Sequence, residues 1–299
     1  MVKLASIDLG SNSTRILIAE VIGEKFDVLE RVHVVTKMSE NIEQSKEISI
    51  QAYKRVDSAL RNFNKLLIKN DVDDVFVVGT AALRDAKNAE KIIENIRKKY
   101  DFEVEVLSGH DEGITTSIGV LHFMKKIENF LIVDIGGRST EFIYEFRNRI
   151  ISESLNLGVV TLTEKYFSNL PIRSNLIDEA KLNIETELSK LSINNTKKVI
   201  GVSGTALSLA SIFLDQQKFN EEDLHEVEID IDNVQEIKNR LLKMTEAEII
   251  IKFKGIDPKR AATIISGVFL LEQILNRYAN SPIIISKNDI LEGLILKKY

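Results

Sequence analysis

Apolar positions fall into two alternating spacings along the chain, and each half begins the same way. Residues 3–9 form a short apolar run, the pattern of a strand. Residues 15–22 and 26–35 bracket Gly23-Glu24, which predicts a hairpin. Over 48–69 the residues Ile50, Tyr53, Val56, Leu60, Phe63 and Leu67 recur every three or four positions, the stripe of an amphipathic helix. A strand over 74–79 follows, then a helix over 86–99 with Ile92, Ile93 and Ile96 inward. Residues 103–107 alternate as a half-exposed strand does. Ser108 with Asp111 three residues on resembles a capping box and opens a helix to about residue 125.

The second half repeats the plan. A strand is predicted over 129–135, a hairpin of 141–146 and 149–155 around Arg147-Asn148, a helix over 173–191 and a strand over 197–202. A helix opens at Thr205 and runs to Leu214. Further helical stretches cover 232–244, 245–253 and a third that has Pro258 in its first turn and ends near Arg277. A strand over 281–286 and a helix over 289–298 close the chain. Three strands followed by alternating helix and strand, used twice, predict an α/β architecture of two domains related by duplication. Ligands in such folds collect at strand ends and in the interdomain cleft.

The duplication is also visible residue by residue. Asp8-Leu9-Gly10-Ser11-Asn12-Ser13-Thr14 returns as Asp134-Ile135-Gly136-Gly137-Arg138-Ser139-Thr140, and Gly79-Thr80-Ala81 returns as Gly204-Thr205-Ala206. Gly79 lies 71 residues after Asp8, and Gly204 lies 70 after Asp134. A strand ending in Asp-x-Gly turns sharply, with glycine expected to supply φ > 0. Its amides then face an anion and its carboxylate suits Mg²⁺. A single such turn is equally a capped hairpin; the matched pair points to phosphate.

Composition removes several chemistries. The 299 residues contain no cysteine, which excludes disulfides, thiolate nucleophiles and Cys-ligated zinc. The four histidines (His33, His110, His122, His225) show no ligand spacing. A net charge of −5 with no basic domain argues against a DNA partner. No apolar run reaches membrane-spanning length and no secretory leader is read at the N-terminus, so no membrane is expected and the cytoplasm is the expected location. A polyanionic substrate would need a local basic patch, for which Lys252, Lys254, Lys259 and Arg260 are candidates; the plainer reading is a solvated helix end.

Other residues join the two turns as candidates. Ser203-Gly204-Thr205 before a helix suits an anion at a helix N-terminus, or is a plain strand exit with a cap. Arg84, just past a glycine turn, suits a fork onto phosphate oxygens. Glu112, in the first turn of the connecting helix, either takes a proton from water or complements the helix dipole.

Taken together, Asp8-Leu9-Gly10-Ser11-Asn12-Ser13, Gly79 to Arg84, Ser108-Gly109-x-Asp111-Glu112, Asp134 to Glu141, Leu157-Gly158-Val159-Val160 and Gly204-Thr205 resemble the exopolyphosphatase/guanosine pentaphosphate phosphohydrolase (Ppx/GppA) family. That family lies in the actin-like ATPase superfamily, and the length matches its short two-domain form. The resemblance implies two ribonuclease-H-like domains, at 1–122 and 123–286, with a helix of about 287–299 packing back on the first. It implies hydrolysis of terminal phosphoanhydrides of polyphosphate or pppGpp with Mg²⁺ or another divalent metal, and is compatible with a homodimer.

By matching motif, Glu112 is the expected general base, and Asp134 and Glu141 position metal and water, with Asp8 sharing the metal. Gly10, Ser11, Asn12, Ser13, Arg15, Gly136, Gly137, Arg138, Ser139, Thr140, Ser203, Gly204 and Thr205 are the expected phosphate-binding residues. Arg84 would hold the chain or the leaving group.

Three departures stand out: Arg138 replaces a loop glycine, Asp111 a glutamate, and Leu291-Glu292-Gly293 an Arg-Glu-Gly. Arg138 either adds a guanidinium to the phosphate site, the reading favoured here, or strains and fills the loop. The alternatives are a nucleotide-sensing relative with weak or no hydrolysis, a small-molecule kinase on the same scaffold, and an actin-like or chaperone module that binds ATP without a catalytic role.

Overall fold

The computed structural model describes residues 2–23, 25–125, 127–168, 171–193 and 197–299; Glu24 of the expected Gly23-Glu24 turn lies outside them. The chain is α/β and divides into two compact units, one of residues up to Val120 together with Asp289–Tyr299, the other Leu121–Asn288.

In the first unit β1 (Val2–Leu9), β2 (Ser13–Ile22) and β3 (Lys25–Val35) form an antiparallel meander. After α1 (Ile42–Ser45) and α2 (Ile50–Lys69), β4 (Asp74–Gly79) pairs parallel to β1. Then come α3 (Ala81–Asp85), α4 (Ala89–Tyr100), β5 (Val104–Val106) parallel to β4, and α5 (Gly109–Phe123). The sheet order is β3-β2-β1-β4-β5.

The second unit repeats the meander with β6 (Phe130–Ile135), β7 (Thr140–Phe146) and β8 (Arg149–Leu155). Arg147 and Asn148 join β7 to β8 at φ 52° and 59°, the left-handed pair of a two-residue hairpin loop. A short helix α6 (Val159–Leu162) continues into a π-helical turn, Thr163–Phe167, which periodicity did not reveal. After α7 (Ser174–Leu188), β9 (Lys198–Val202) pairs parallel to β6 and leads straight into α8 (Ser203–Phe213).

A two-residue strand β10 (Glu228–Ile229), too short for a sequence signal, precedes α9 (Ile231–Leu241) and α10 (Glu246–Lys252). Then a 3₁₀ turn Pro258–Arg260 opens onto α11 (Ala261–Tyr278), and β11 (Ile283–Ile285) joins β9. This sheet runs β10-β11-β9-β6-β7-β8, so β11 takes the place that β5 holds in the first.

The last helix, α12 (Ile290–Lys298), packs on the first unit's sheet. Strand alternation explains the packing. Ala5, Ile7 and Leu9 face one core with α2 and α4, whereas Leu4, together with Leu17, Ala19 and Val21 of β2, faces Ile290, Leu291, Leu294 and Ile295. Asp8 and Arg15 share the parity of that second face. In α2 the buried stripe is Ala52, Val56, Ala59, Leu60, Phe63 and Leu67; Ile50, expected inward, is the first helical residue and lies 70% exposed. Among the described residues no helix is long and apolar enough to cross a membrane.

Candidate active site

The first turn is built by register. Asp8 pairs with Arg15 and Leu9 with Thr14, so Gly10, Ser11 and Asn12 bridge the strands, and the Gly10 amide donates to Ser13 O at 3.0 Å. The turn's carbonyls are tied outward: Asn12 O accepts from Thr36 N (3.0 Å) and Lys37 N (2.9 Å), and Ser11 O from Ser39 N (2.9 Å). What remains inside is polar. Asp8 Oδ1, Ser11 Oγ, Asn12 Oδ1 and Ser13 Oγ are buried without a hydrogen-bond partner among the described residues. Each such atom costs roughly 1–3 kcal/mol. Four in one turn are expected where a ligand supplies the partners.

The expectation that glycine serves these turns through positive φ is corrected by the geometry. Neither Gly10 nor Gly136 adopts a left-handed φ; glycine is needed there for close approach. A Cβ on Gly10 would stand 2.7 Å from Ser13 O, and one on Gly136 3.0 Å from Ser139 O.

Arg15 is engaged by carboxylates. Its Nη2 (2.8 Å) and Nε (3.1 Å) both donate to Asp8 Oδ2, and its Nη1 donates to Asp289 Oδ2. Burial pushes the Asp8 carboxyl above the ordinary range, offset only in part by Arg15. Burial acts the same way on Asp289, but there the Arg15 and Arg31 guanidiniums and the Leu291 amide outweigh it and hold the carboxyl below the usual range.

Glu112 sits in the first turn of α5, buried, with Oε2 accepting from Arg84 Nη1 at 2.6 Å. The same Nη1 donates to Leu107 O at 2.9 Å. Two residues singled out separately in the sequence are therefore an ion pair. The start of α5 is fixed by Asp111 N donating to Ser108 Oγ (3.1 Å), the first half of the expected capping box.

The second turn copies the backbone of the first. Gly136 N donates to Ser139 O at 2.9 Å. The brace comes from the 157–161 segment: Val159 N donates to Gly136 O (3.0 Å), Val160 N to Gly137 O (2.7 Å), and Thr140 Oγ1 to Leu157 O. Gly158 makes this possible, because a Cβ there would run into Gly137 C and O and Arg138 N. That accounts physically for the Leu157-Gly158-Val159-Val160 motif.

Asp134 and Glu141 are directly paired across β6 and β7, so both carboxylates face one side of the sheet; Glu141 Oε1 also accepts from Ser154 Oγ at 2.9 Å. Arg138 is buried and its φ is not left-handed, so the missing glycine brings no backbone strain. Ser203 does carry strain, at φ 60° between β9 and α8. Thr205 Oγ1 donates to Ile135 O at 3.3 Å, and the Arg260 guanidinium lies against the Gly204 Cα. Lys252, Lys254 and Lys259 are exposed.

These donors fit Mg²⁺ better than a caged metal. Among the described residues no group of three or more His, Cys, Asp or Glu could hold an ion. Mg²⁺ commonly uses one or two carboxylates with water and substrate phosphates, and Asp8 Oδ1 is a hard, buried oxygen still to be satisfied. The Arg15–Asp289 bridge was not visible in the sequence, since its partners lie 274 residues apart. Only Asp289 with Glu292 three positions on, the capping-box pattern, marks that end of the chain.

The profile of the Ppx/GppA phosphatase family matches residues 17–299. The chain is 29% identical, over 98% of its length, to a bifunctional 3-dehydroquinate synthase/phosphatase of Fusobacterium nucleatum, and it spans about half (46%) of that protein. In fold it matches an exopolyphosphatase-like protein with a TM-score of 0.93, at 24% identity over 99% of this chain and 97% of the other. It matches the Ppx/GppA enzyme of Aquifex aeolicus at 0.84, with 24% identity over 99% of each chain. An exopolyphosphatase of Cytophaga hutchinsonii matches at 0.85, with 24% identity over 99% and 97%.

Proposed function

Because the chain belongs to the Ppx/GppA phosphatase family, we propose that it hydrolyses the terminal phosphoanhydride of inorganic polyphosphate or of pppGpp. The observation that carries this reading is the Asp8 turn, where four buried oxygens await partners and the backbone is braced from outside. The Ser11 and Ser13 hydroxyls can donate to phosphate oxygens, and Asp8 Oδ1 and Asn12 Oδ1, which only accept, suit a cation or its water; an array held in place before substrate arrives stabilises developing charge without reorganisation. The Gly136–Thr140 turn, braced in the same manner, offers a second cradle for phosphate oxygens. The phosphatase part of the Fusobacterium protein's name accords with the same chemistry.

Glu112 is the group we assign to take the proton from the attacking water. Its partner Arg84 is already positioned by Leu107 O and has a guanidinium suited to a phosphate oxygen. Substrate phosphate competing for Arg84 would loosen its hold on Glu112 as the anhydride binds. Each unit carries its own candidates for Mg²⁺: Asp8 in the first, and Asp134 with Glu141 in the second. When bound, the ion supplies charge neutralisation at the phosphoryl oxygens. Arg138 adds a cation beside the second turn.

The test is phosphate release from long-chain polyphosphate, pppGpp and ATP side by side, with and without Mg²⁺. Release from either of the first two, dependent on the divalent ion, is the expected result. ATP turnover only in the presence of a phosphate acceptor would make the chain a kinase and overturn the proposal.

A further inference from the structure

Arg15 holds Asp8 in an asymmetric way. Two of its nitrogens, Nη2 and Nε, converge on the single oxygen Oδ2, and Oδ1 is left buried and unpartnered. A guanidinium facing one carboxylate normally forks across both oxygens. Here the third nitrogen, Nη1, is drawn away by Asp289 Oδ2.

Asp289 is itself firmly placed. It is 1% exposed and caps α12: its Oδ1 accepts from Leu291 N at 3.1 Å, and its own amide donates to Glu292 Oε2 at 2.9 Å. Glu292 in turn pairs with Arg31 of β3. The start of α12 is pinned to β1 by Ser6 Oγ donating to Leu291 O at 2.8 Å. It also meets α5, the helix of Glu112, backbone to backbone. A Cβ on Gly119 would collide with Asp289 O, and one on Gly293 with Thr115 O.

We propose that Asp289 is a positioning residue for the Asp8 turn: it holds Arg15 on one oxygen of Asp8, so that the other is presented to a divalent cation and its phosphate ligands. The C-terminal helix thereby belongs to the reaction machinery. The inference rests on the cation-binding role given to Asp8 above. Without the Asp289 charge, Nη1 is released, Arg15 is free to fork across both Asp8 oxygens, and the cation loses its ligand.

Asp289→Asn isolates this effect, because asparagine caps a helix about as well as aspartate. The probe is Mn²⁺ binding to the full chain, followed by electron paramagnetic resonance in the presence of a methylene-bridged triphosphate. The kinetic counterpart is the KM for Mg²⁺ against the KM for polyphosphate. Mn²⁺ affinity is expected to fall about tenfold, in the range found when a ligand's supporting partner is removed. The KM for Mg²⁺ should rise to match, while that for polyphosphate stays within about twofold.

Arg15→Gln completes a double-mutant cycle. In that background Asp289→Asn should change Mn²⁺ affinity no further. Unchanged Mn²⁺ affinity in Asp289→Asn overturns the proposal, and so does an equal loss with and without Arg15. Should Asp289→Asn not fold, a loss of about tenfold in Mn²⁺ affinity in Arg15→Gln, which has no guanidinium to cover the second Asp8 oxygen, overturns it instead. A wild-type chain that releases phosphate at full rate without any divalent ion defeats the cation role of Asp8, and the bridge with it.

Discussion

Gly158→Ala is the sharpest test of how the second turn is held. The added methyl would be driven into the Gly137–Arg138 peptide group, against Gly137 C, Gly137 O and Arg138 N, where no flexible side chain can give way. Relief requires the 136–138 turn and the 157–160 segment to separate, stretching Val160 N to Gly137 O (2.7 Å) and Val159 N to Gly136 O (3.0 Å). Overpacking of this kind costs roughly 1–3 kcal/mol. For a unit of this size each kcal/mol lowers Tm by about 2–4 °C. The catalytic effect should exceed the stability effect, because displacing a phosphate cradle by on the order of 1 Å costs about a hundredfold in rate. Calorimetry on the purified variant gives the first quantity and phosphate release at saturating substrate the second. A variant melting with the wild type and turning over at the wild-type rate would refute the claim that Gly158 braces a functional turn.

Glu112→Gln preserves the shape of the α5 start and removes the base, so phosphate release should fall by ~10²–10⁴; near-normal turnover would send the search to another residue. Arg138→Gly should lower the rate, since the native backbone there is unstrained and only the guanidinium is lost; a many-fold gain on long polyphosphate would show that the arginine obstructs. The two carboxylates around Arg15 should respond oppositely to pH. Asp289, held below 3.8, contributes stability that is present above that value and lost as pH falls through its folded value, so Asp289→Asn should cost Tm at neutral pH and progressively less in acid. Asp8, raised above 3.8 by burial, carries a cost that appears as pH rises from that value through its folded one. Metal-free Asp8→Asn should therefore gain on the wild type as pH rises from 3 to 7, and a Tm difference that is flat or falls over that interval would contradict the assignment.

Much of this fold was legible because its signals are local. The strands flanking Asp8 and Asp134 announce themselves by apolar runs, and the α2 stripe by its spacing. Spacing alone also found the duplicated Asp-x-Gly turns. What escaped depends on neighbours distant in sequence. Gly10 reads as a conformational glycine and Gly158 only as part of a motif, yet each is required by an approaching backbone. The segment Val159–Phe167 is too short and too irregular for periodicity to register. Arg84 and Glu112 stand out individually, but only the fold, which sets α3 against the start of α5, reveals that they form a pair. By motif Arg15 reads as a phosphate ligand, and its two carboxylate partners come from β1 and from the far end of the chain.

The duplication conserved backbone and let charge diverge. Asp8 and Asp134 occupy one register position in their sheets, yet the residue directly across is Arg15 in the first and Glu141 in the second. The first unit thus supplies its own counter-charge and spares a single oxygen. The second sets two carboxylates side by side on one face, an arrangement that is unfavourable by itself and favourable to a bound cation. Two copies of one turn have in this way become unequal. One is specialised by an internal arginine whose direction Asp289 controls, the other by a carboxylate pair with Arg138 in the adjoining loop. Exchanging the partners, with Arg15→Glu in one unit or Glu141→Arg in the other, should therefore impair phosphate release in both cases, even though each change installs a residue that the equivalent position already tolerates.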